Sequence, residues 1–223
     1  MIGVVIPTLN AAVGLEAAVA CVRSSDLVDE IVVSDGGSVD GTVGLARRLG
    51  CRYVVGPRGR GGQLARGAEA VSAPWLLFLH ADTRLVAGWD AAVRAFGQRT
   101  PGMDRAAAFS FALDAQGWRP RLLERIVAAR CRLLALPYGD QGLLIPRVLY
   151  DAIGGYRPLP LMEDVDIVRR LGRGRLEVLT APAVTSAVRY ARDGYLARTT
   201  RNMACLGLYF AGVSPQSIVR IYG

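Results

Sequence analysis

Through the first hundred residues, short apolar runs rich in β-branched residues alternate with segments whose apolar positions recur every three or four residues. That rhythm belongs to strand–helix–strand units on a mostly parallel sheet. Val4 to Ile6, Glu30 to Val33, Arg52 to Val55 and Trp75 to Leu79 read as strands. Ala12 to Arg23, Val43 to Leu49, Gln63 to Val71 and Trp89 to Phe96 read as helices. The expected class is α/β, an open Rossmann-like sheet with helices on both faces, in which ligands sit beyond the carboxyl ends of the strands. The loops after Ile6, Val33, Val55 and Leu79 are therefore the ones to search for chemistry.

Beyond residue 100 the alternation breaks. Ala106 to Leu113 suits a strand, Arg121 to Leu136 a basic amphipathic helix, and Gly142 to Ile145 a short strand before Pro146. Val165, Val168 and Leu171 recur at helical spacing, which puts Glu163 and Asp164 in a first turn and turns Arg169, Arg170 and Arg173 outward. Leu176 to Val188 reads as a strand broken at Pro182, and Tyr195 to Ala211 as a terminal helix. We expect one domain over residues 1–223: a nucleotide-binding half (1–100), a half for the second substrate (101–190) and an amphipathic helical end (191–223).

Four loops carry candidate chemistry. Ser34-Asp35-Gly36-Gly37-Ser38 lets backbone approach a ligand, with Asp35 able to accept from a base N–H and the Gly and Ser amides suited to phosphate or ribose. Asp40 suits a helix cap. Gly59-Arg60-Gly61-Gly62-Gln63 pairs an arginine loop with a helix start, either a diphosphate cradle or an exposed, solvated loop. His80 and Asp82, alternate residues at a strand's end, can face one ligand, and a hard cation bridging two phosphates would choose Asp82. Asp140 and Gln141 suit either acceptor contacts or an ordinary turn. Glu163 and Asp164 are held as anions by a helix N-terminus, where one could act as a base.

Composition narrows these readings. The net charge is +8, and all 27 basic residues are Arg, which excludes Schiff-base lysines and a Walker-type phosphate loop. His80 is the sole histidine, so a serine or cysteine triad or a multi-histidine zinc site cannot form within the chain. Cys21, Cys51, Cys131 and Cys205 are scattered and read as buried thiols in a reducing compartment. The first residues, Ile2 to Ile6, lack the pattern of a signal peptide, which makes the expected location cytoplasmic. The end of the chain, Tyr195 to Gly223, mixes Arg198, Arg201 and Arg220 with Leu206, Leu208, Tyr209 and Phe210. It suits either core packing or rest on an anionic membrane surface, where a lipid-linked acceptor would be. Nucleic acid is not an expected partner.

The ordered series Val5-Ile6-Pro7-Thr8-Leu9-Asn10, Glu30 to Thr42, Gly59 to Gln63, His80-Ala81-Asp82 and Glu163-Asp164-Val165-Asp166 resembles the family 2 glycosyltransferases. Phe78 to Thr83 is similar to a small bacterial subgroup associated with radical-SAM and selenodomain proteins. The resemblance implies a GT-A fold, a nucleotide-diphospho-sugar donor, a Mg or Mn ion and inversion at the anomeric carbon. It further implies that Pro7, Thr8 and Asn10 line the nucleotide pocket with Gly36, Gly37, Ser38 and Ala81. In the same transfer Asp35 meets the base, Asp82 the metal, and Asp164 is the catalytic base; Arg60 and Gln63 are further donor-binding candidates, His80 a secondary metal ligand and Glu163 a second catalytic acid. The chain departs from the family in having Gly36 where a second acid is common and His80 where a D-x-D motif begins. The rival classes are a sugar-phosphate nucleotidyltransferase, whose arginine and lysine loop after the first strand is replaced here by Pro7 to Asn10, and a non-catalytic nucleotide-binding protein.

Overall fold

A computed structural model describes residues 1–222; Gly223, the last residue of the terminal segment, lies outside them. In chain order the elements are β1 (Ile2–Thr8), α1 (Ala12–Arg23), β2 (Val28–Asp35), α2 (Thr42–Arg48), β3 (Arg52–Val55), α3 (Arg60–Glu69), β4 (Trp75–Phe78), β5 (Thr83–Leu85), α4 (Trp89–Arg99) and β6 (Ala106–Leu113). There follow α5 (Trp118–Leu134), β7 (Leu143–Pro146), α6 (Arg147–Ala152), α7 (Glu163–Leu171), β8 (Leu176–Thr185), α8 (Val188–Asp193), α9 (Tyr195–Phe210) and α10 (Pro215–Tyr222).

Among the described residues eight strands form one sheet, ordered β3-β2-β1-β4-β7-β6-β8-β5. β1 lies between β2 and β4, parallel to both. Alternation along β1 then decides which side chain enters which layer. Val4 and Ile6 join Leu15, Val19 and Phe96 on the face covered by α1 and α4. Val5 faces the other way, with Leu64, Ile167 and Val168 under α3 and α7. A third apolar cluster joins Phe111 and Leu113 of β6 to Leu123, Val127 and Cys131 of α5.

Strand direction explains why distant segments meet. The carboxyl ends of β1, β2, β3 and β4 share one sheet edge, since these strands are mutually parallel. β7 runs antiparallel to β4, with Leu143 opposite Phe78, so the chain entering β7 arrives beside the chain leaving β4. β6 is antiparallel to β7 and parallel to β8, which brings the end of β8 to that edge as well.

Several sequence expectations need correcting. Pro182 does not break β8; the strand runs through it because the register against β6 shifts between Phe109 and Ser110, leaving Thr180 and Ala181 as a bulge. The strand stops at Thr185, and Val188 opens a helix instead. Thr83 begins β5 and donates its hydroxyl to Thr185 Oγ1 at 3.1 Å. Arg170 does not face outward: it donates to Asp166 and to the carbonyls of Ile153 and Gly155. That web also fixes Asp166, the third acid of its motif, as a structural residue, joined by Arg157 at 3.3 Å.

Candidate active site

The loop after β4, the chain entering β7, the start of α7 and the end of β8 line a cleft open to solvent. Arg60, His80, Asp82, Asp140, Glu163 and Asp164 all line it, so six of the residues singled out in the sequence converge.

The acids sit on α7 because the chain enters that helix through Met162 in a left-handed conformation, φ 64°. Such backbone is uncommon for a residue with a side chain and is found where surrounding structure holds it. Asp164 is fixed by amides: Gly139 donates to Oδ2 at 2.9 Å and Val165 to Oδ1 at 2.8 Å. Glu163 is 3% exposed and lies 3.7 Å from Arg60. Burial, reinforced by the negative Asp164, pushes its pKa to about 7 against the pull of Arg60. The Asp140 carboxyl is likewise pushed by burial to about 6, with Arg130 opposing and Asp164 and Asp82 adding to the rise; its Oδ1 is buried without a hydrogen-bond partner.

On the opposite wall, burial, Arg60 and Arg189 hold the His80 pKa down at about 3 against Asp82, so its imidazole is neutral. Asp82 lies 3.6 Å from Arg189 of α8. Gly139 separates the two walls: a Cβ there would meet His80 Nε2 at 2.7 Å and Asp164 Oδ2 at 3.7 Å. A side chain at 139 would therefore fill the floor of the cleft.

Other expected site residues lie outside this lining. Pro7, Thr8, Asn10 and the 35–38 loop gather at the ends of β1 and β2, held by their own hydrogen bonds. Asp35 is fully buried: Thr8 Oγ1 and Ser38 Oγ donate to Oδ1 at 2.8 and 2.5 Å, and the Gly37 and Ser38 amides to Oδ2 at 2.8 and 2.7 Å. Burial alone would raise its pKa, but these donors outweigh it and hold the carboxyl below the usual range. With its acceptor positions filled from within, Asp35 shapes the loop rather than offering a free oxygen to a base. Gln63 donates to the carbonyls of Thr8 and Ser34 at 2.6 and 3.0 Å and is 4% exposed, so it ties β1 to β2 instead of reaching a diphosphate. Its side chain also occupies the space beside Gly36, where a Cβ would meet Gln63 Cδ at 2.9 Å. Gln141 is 1% exposed, donates to Phe109 O at 2.8 Å and accepts from the Tyr138 amide at 3.3 Å. It is a core residue, which corrects its assignment to an acceptor. Ala81 is buried too, its carbonyl 2.4 Å from where a Cβ at Gly14 would be. Asp40 does hold the start of α2, through Thr42, and also accepts from the Ala12 amide at 3.1 Å.

Sequence reasoning missed Arg189, Tyr138, Ser186 and Asn202 in the lining. One arginine among 27 basic residues carries no local signal; Ser186, Arg189 and Asn202 are brought in by the direction of β8, and Tyr138 by that of β7.

Because Glu163 binds its proton more tightly folded than unfolded, the stabilisation linked to it is fully present below the unfolded carboxyl pKa and fades as pH rises through about 7. We expect Glu163→Gln to raise the melting temperature at pH 8, a gain on the order of 1–3 kcal/mol that shrinks toward pH 5. Thermal unfolding across that range checks it; a variant less stable than the parent at pH 8 would contradict the burial account.

Residues 3–97 match the family model described as Glycosyl transferase family 2. A PGL/p-HBAD biosynthesis glycosyltransferase of Mycobacterium tuberculosis (strain ATCC 25177 / H37Ra) is 36% identical over 93 residues, 38% of this chain and 36% of that protein. The chain thus aligns with about a third of the curated relative's length. Among solved structures, Mycobacterium tuberculosis glucosyl-3-phosphoglycerate synthase, with Mn2+, UDP and glucosyl-3-phosphoglycerate, superposes with a TM-score of 0.62 at 22% identity, over 96% of this chain and 80% of that one. A Pyrobaculum calidifontis mannosyltransferase with GDP-Man and Mn2+ gives 0.62 at 17% identity, over 92% and 60%. These likenesses show the GT-A type of fold expected from the sequence.

Proposed function

Since residues 3–97 match the glycosyl transferase family 2 model, we propose that the chain moves a sugar from a nucleotide diphosphate to an acceptor hydroxyl with inversion at the anomeric carbon. The observation that carries this reading is the meeting of Arg60, His80 and Asp82 with Glu163 and Asp164 across one cleft. An inverting transfer needs cations for the leaving diphosphate on one side and an ionised carboxylate for the acceptor on the other.

Arg60, at the first position of α3, offers a guanidinium fork to the diphosphate. Among the described residues no three His, Cys, Asp or Glu side chains form a ready-made metal cage. One carboxylate, Asp82, with the neutral imidazole of His80 nevertheless fits a Mg or Mn ion that takes its other ligands from phosphate and water. Such an ion supplies charge for the departing diphosphate. Asp164, more open to the cleft than Glu163, takes the proton from the acceptor hydroxyl, and its two backbone donors keep the carboxylate aimed. Glu163 tunes this step by its own charge and by holding Arg60.

A thermal-shift screen of nucleotide sugars with and without Mn tests the proposal. At least one donor is expected to raise the melting temperature, since a ligand bound only by the folded state stabilises it, and that donor should be slowly hydrolysed. If no nucleotide sugar shifts the transition, the reading fails.

A further inference from the structure

We propose that the outer face of α5 docks on an anionic lipid surface. Trp118, Leu122, Ile126 and Leu133 are 70%, 48%, 44% and 66% exposed. At 100° per residue they fall within an arc of about 80°, a stripe roughly 22 Å long. The stripe does no packing: Leu123, Val127 and Cys131, on the other side of the helix, make the contact with β6. Among the described residues no element covers it.

The end of the chain was expected either to pack against the core or to rest on an anionic membrane. In α9, Leu206 is 8% exposed and Cys205 fully buried, and Arg198 and Arg201 both donate to Asp193 at 2.9 Å. That segment keeps Leu196, Met203 and Phe210 exposed, but both arginines of α9 are engaged by Asp193, which leaves those apolar positions without a row of cations beside them. On α5 the apolar stripe is free, with Arg119 along one border and Arg121, Arg125 and Arg132 along the other. The helix has one acid, Glu124, already engaged by Arg121 at 2.6 Å and by the Leu113 amide at 2.9 Å.

An exposed tryptophan and aliphatic stripe bordered by cations matches the boundary between anionic headgroups and acyl chains. A second copy is a poorer occupant: two such stripes facing each other would oppose arginine rows to arginine rows. No described helix is long and apolar enough to cross a membrane, so α5 lies along the surface. Its carboxyl end is bound to the cleft wall. Arg130 stacks 3.4 Å over the Tyr138 ring and donates to Leu136 O at 2.9 Å, and Tyr138 and Asp140 line the cleft. Under the transfer reading this holds the acceptor side at headgroup level and favours an amphiphilic acceptor, but the docking does not depend on that reading.

Flotation with phosphatidylglycerol-rich and with pure phosphatidylcholine vesicles tests the docking separately from any transfer assay. The protein is expected to float with the anionic vesicles at low salt and to stay behind with the neutral ones. Leu122→Glu with Ile126→Glu should lower anionic partition about tenfold or more at an unchanged melting temperature. Phe210→Glu, on exposed α9 surface, should leave it intact. As a second readout, vesicles should shift tryptophan emission to the blue in the parent and not in Trp118→Phe. Indifference to anionic vesicles, equal flotation of the double variant, a blue shift that survives Trp118→Phe, or a dimer in solution that the double variant abolishes would each overturn the proposal.

Discussion

Asp164→Asn is expected to lower sugar transfer by about 10²-fold to 10⁴-fold, the usual cost of losing a general base. The side chain keeps its size but can no longer take a proton. One of its two amide bonds, from Gly139 or Val165, must also be given up, because an asparagine has a single acceptor oxygen. The melting temperature is therefore measured alongside turnover, and nucleoside diphosphate affinity, read by calorimetry, should barely change. Glu163→Gln is the control. With its pKa near 7 it is half-protonated at neutral pH, and its loss should slow transfer less and remove any acid limb near that value from the pH profile. Near-normal turnover in the Asp164 variant with a collapse in the Glu163 variant would move the base one residue toward the amino end. Full activity in both would leave the α7 acids with only a structural role.

Asp82→Ala is expected to weaken nucleoside diphosphate binding in the presence of Mn or Mg by at least about 10–100-fold. Binding without metal should change little, since Arg60 and Arg189 remain in the cleft wall. The difference between the two titrations is the diagnostic quantity. Arg189 pairs with Asp82 at 3.6 Å, so a metal at Asp82 would compete with Arg189, and Arg189→Ala should tighten metal binding while leaving Asp82 in place. Equal affinities for parent and Asp82→Ala in metal would remove Asp82 from the donor site.

Apart from β5, the strands and helices from β1 to α4 were legible because each strand is a short apolar run and each helix a regular stripe. What escaped was short or bracketed. β5 has three residues, α6 has six and starts at a proline boundary, and the β-branched residues around Val184 masked the start of α8. In the cleft, Arg60, Asp82 and the α7 acids were legible from the ends of elements on which they sit. Asp35, Gln63 and Gln141 were not, because a polar residue at the end of a strand, in a helix's first turn or in a tight turn reads identically whether it meets a ligand or its own neighbours' backbone. Only the count of internal donors, four on Asp35, separates those cases.

The crowding between Gly36 and Gln63 makes the two positions a single unit of inheritance. An acid placed at 36 displaces the Gln63 amide, and that breaks the bonds Gln63 donates to the Thr8 and Ser34 carbonyls. Any redesign of nucleotide preference that begins by restoring an acid beside Asp35 must therefore rebuild the bridge between β1 and β2 in the same step.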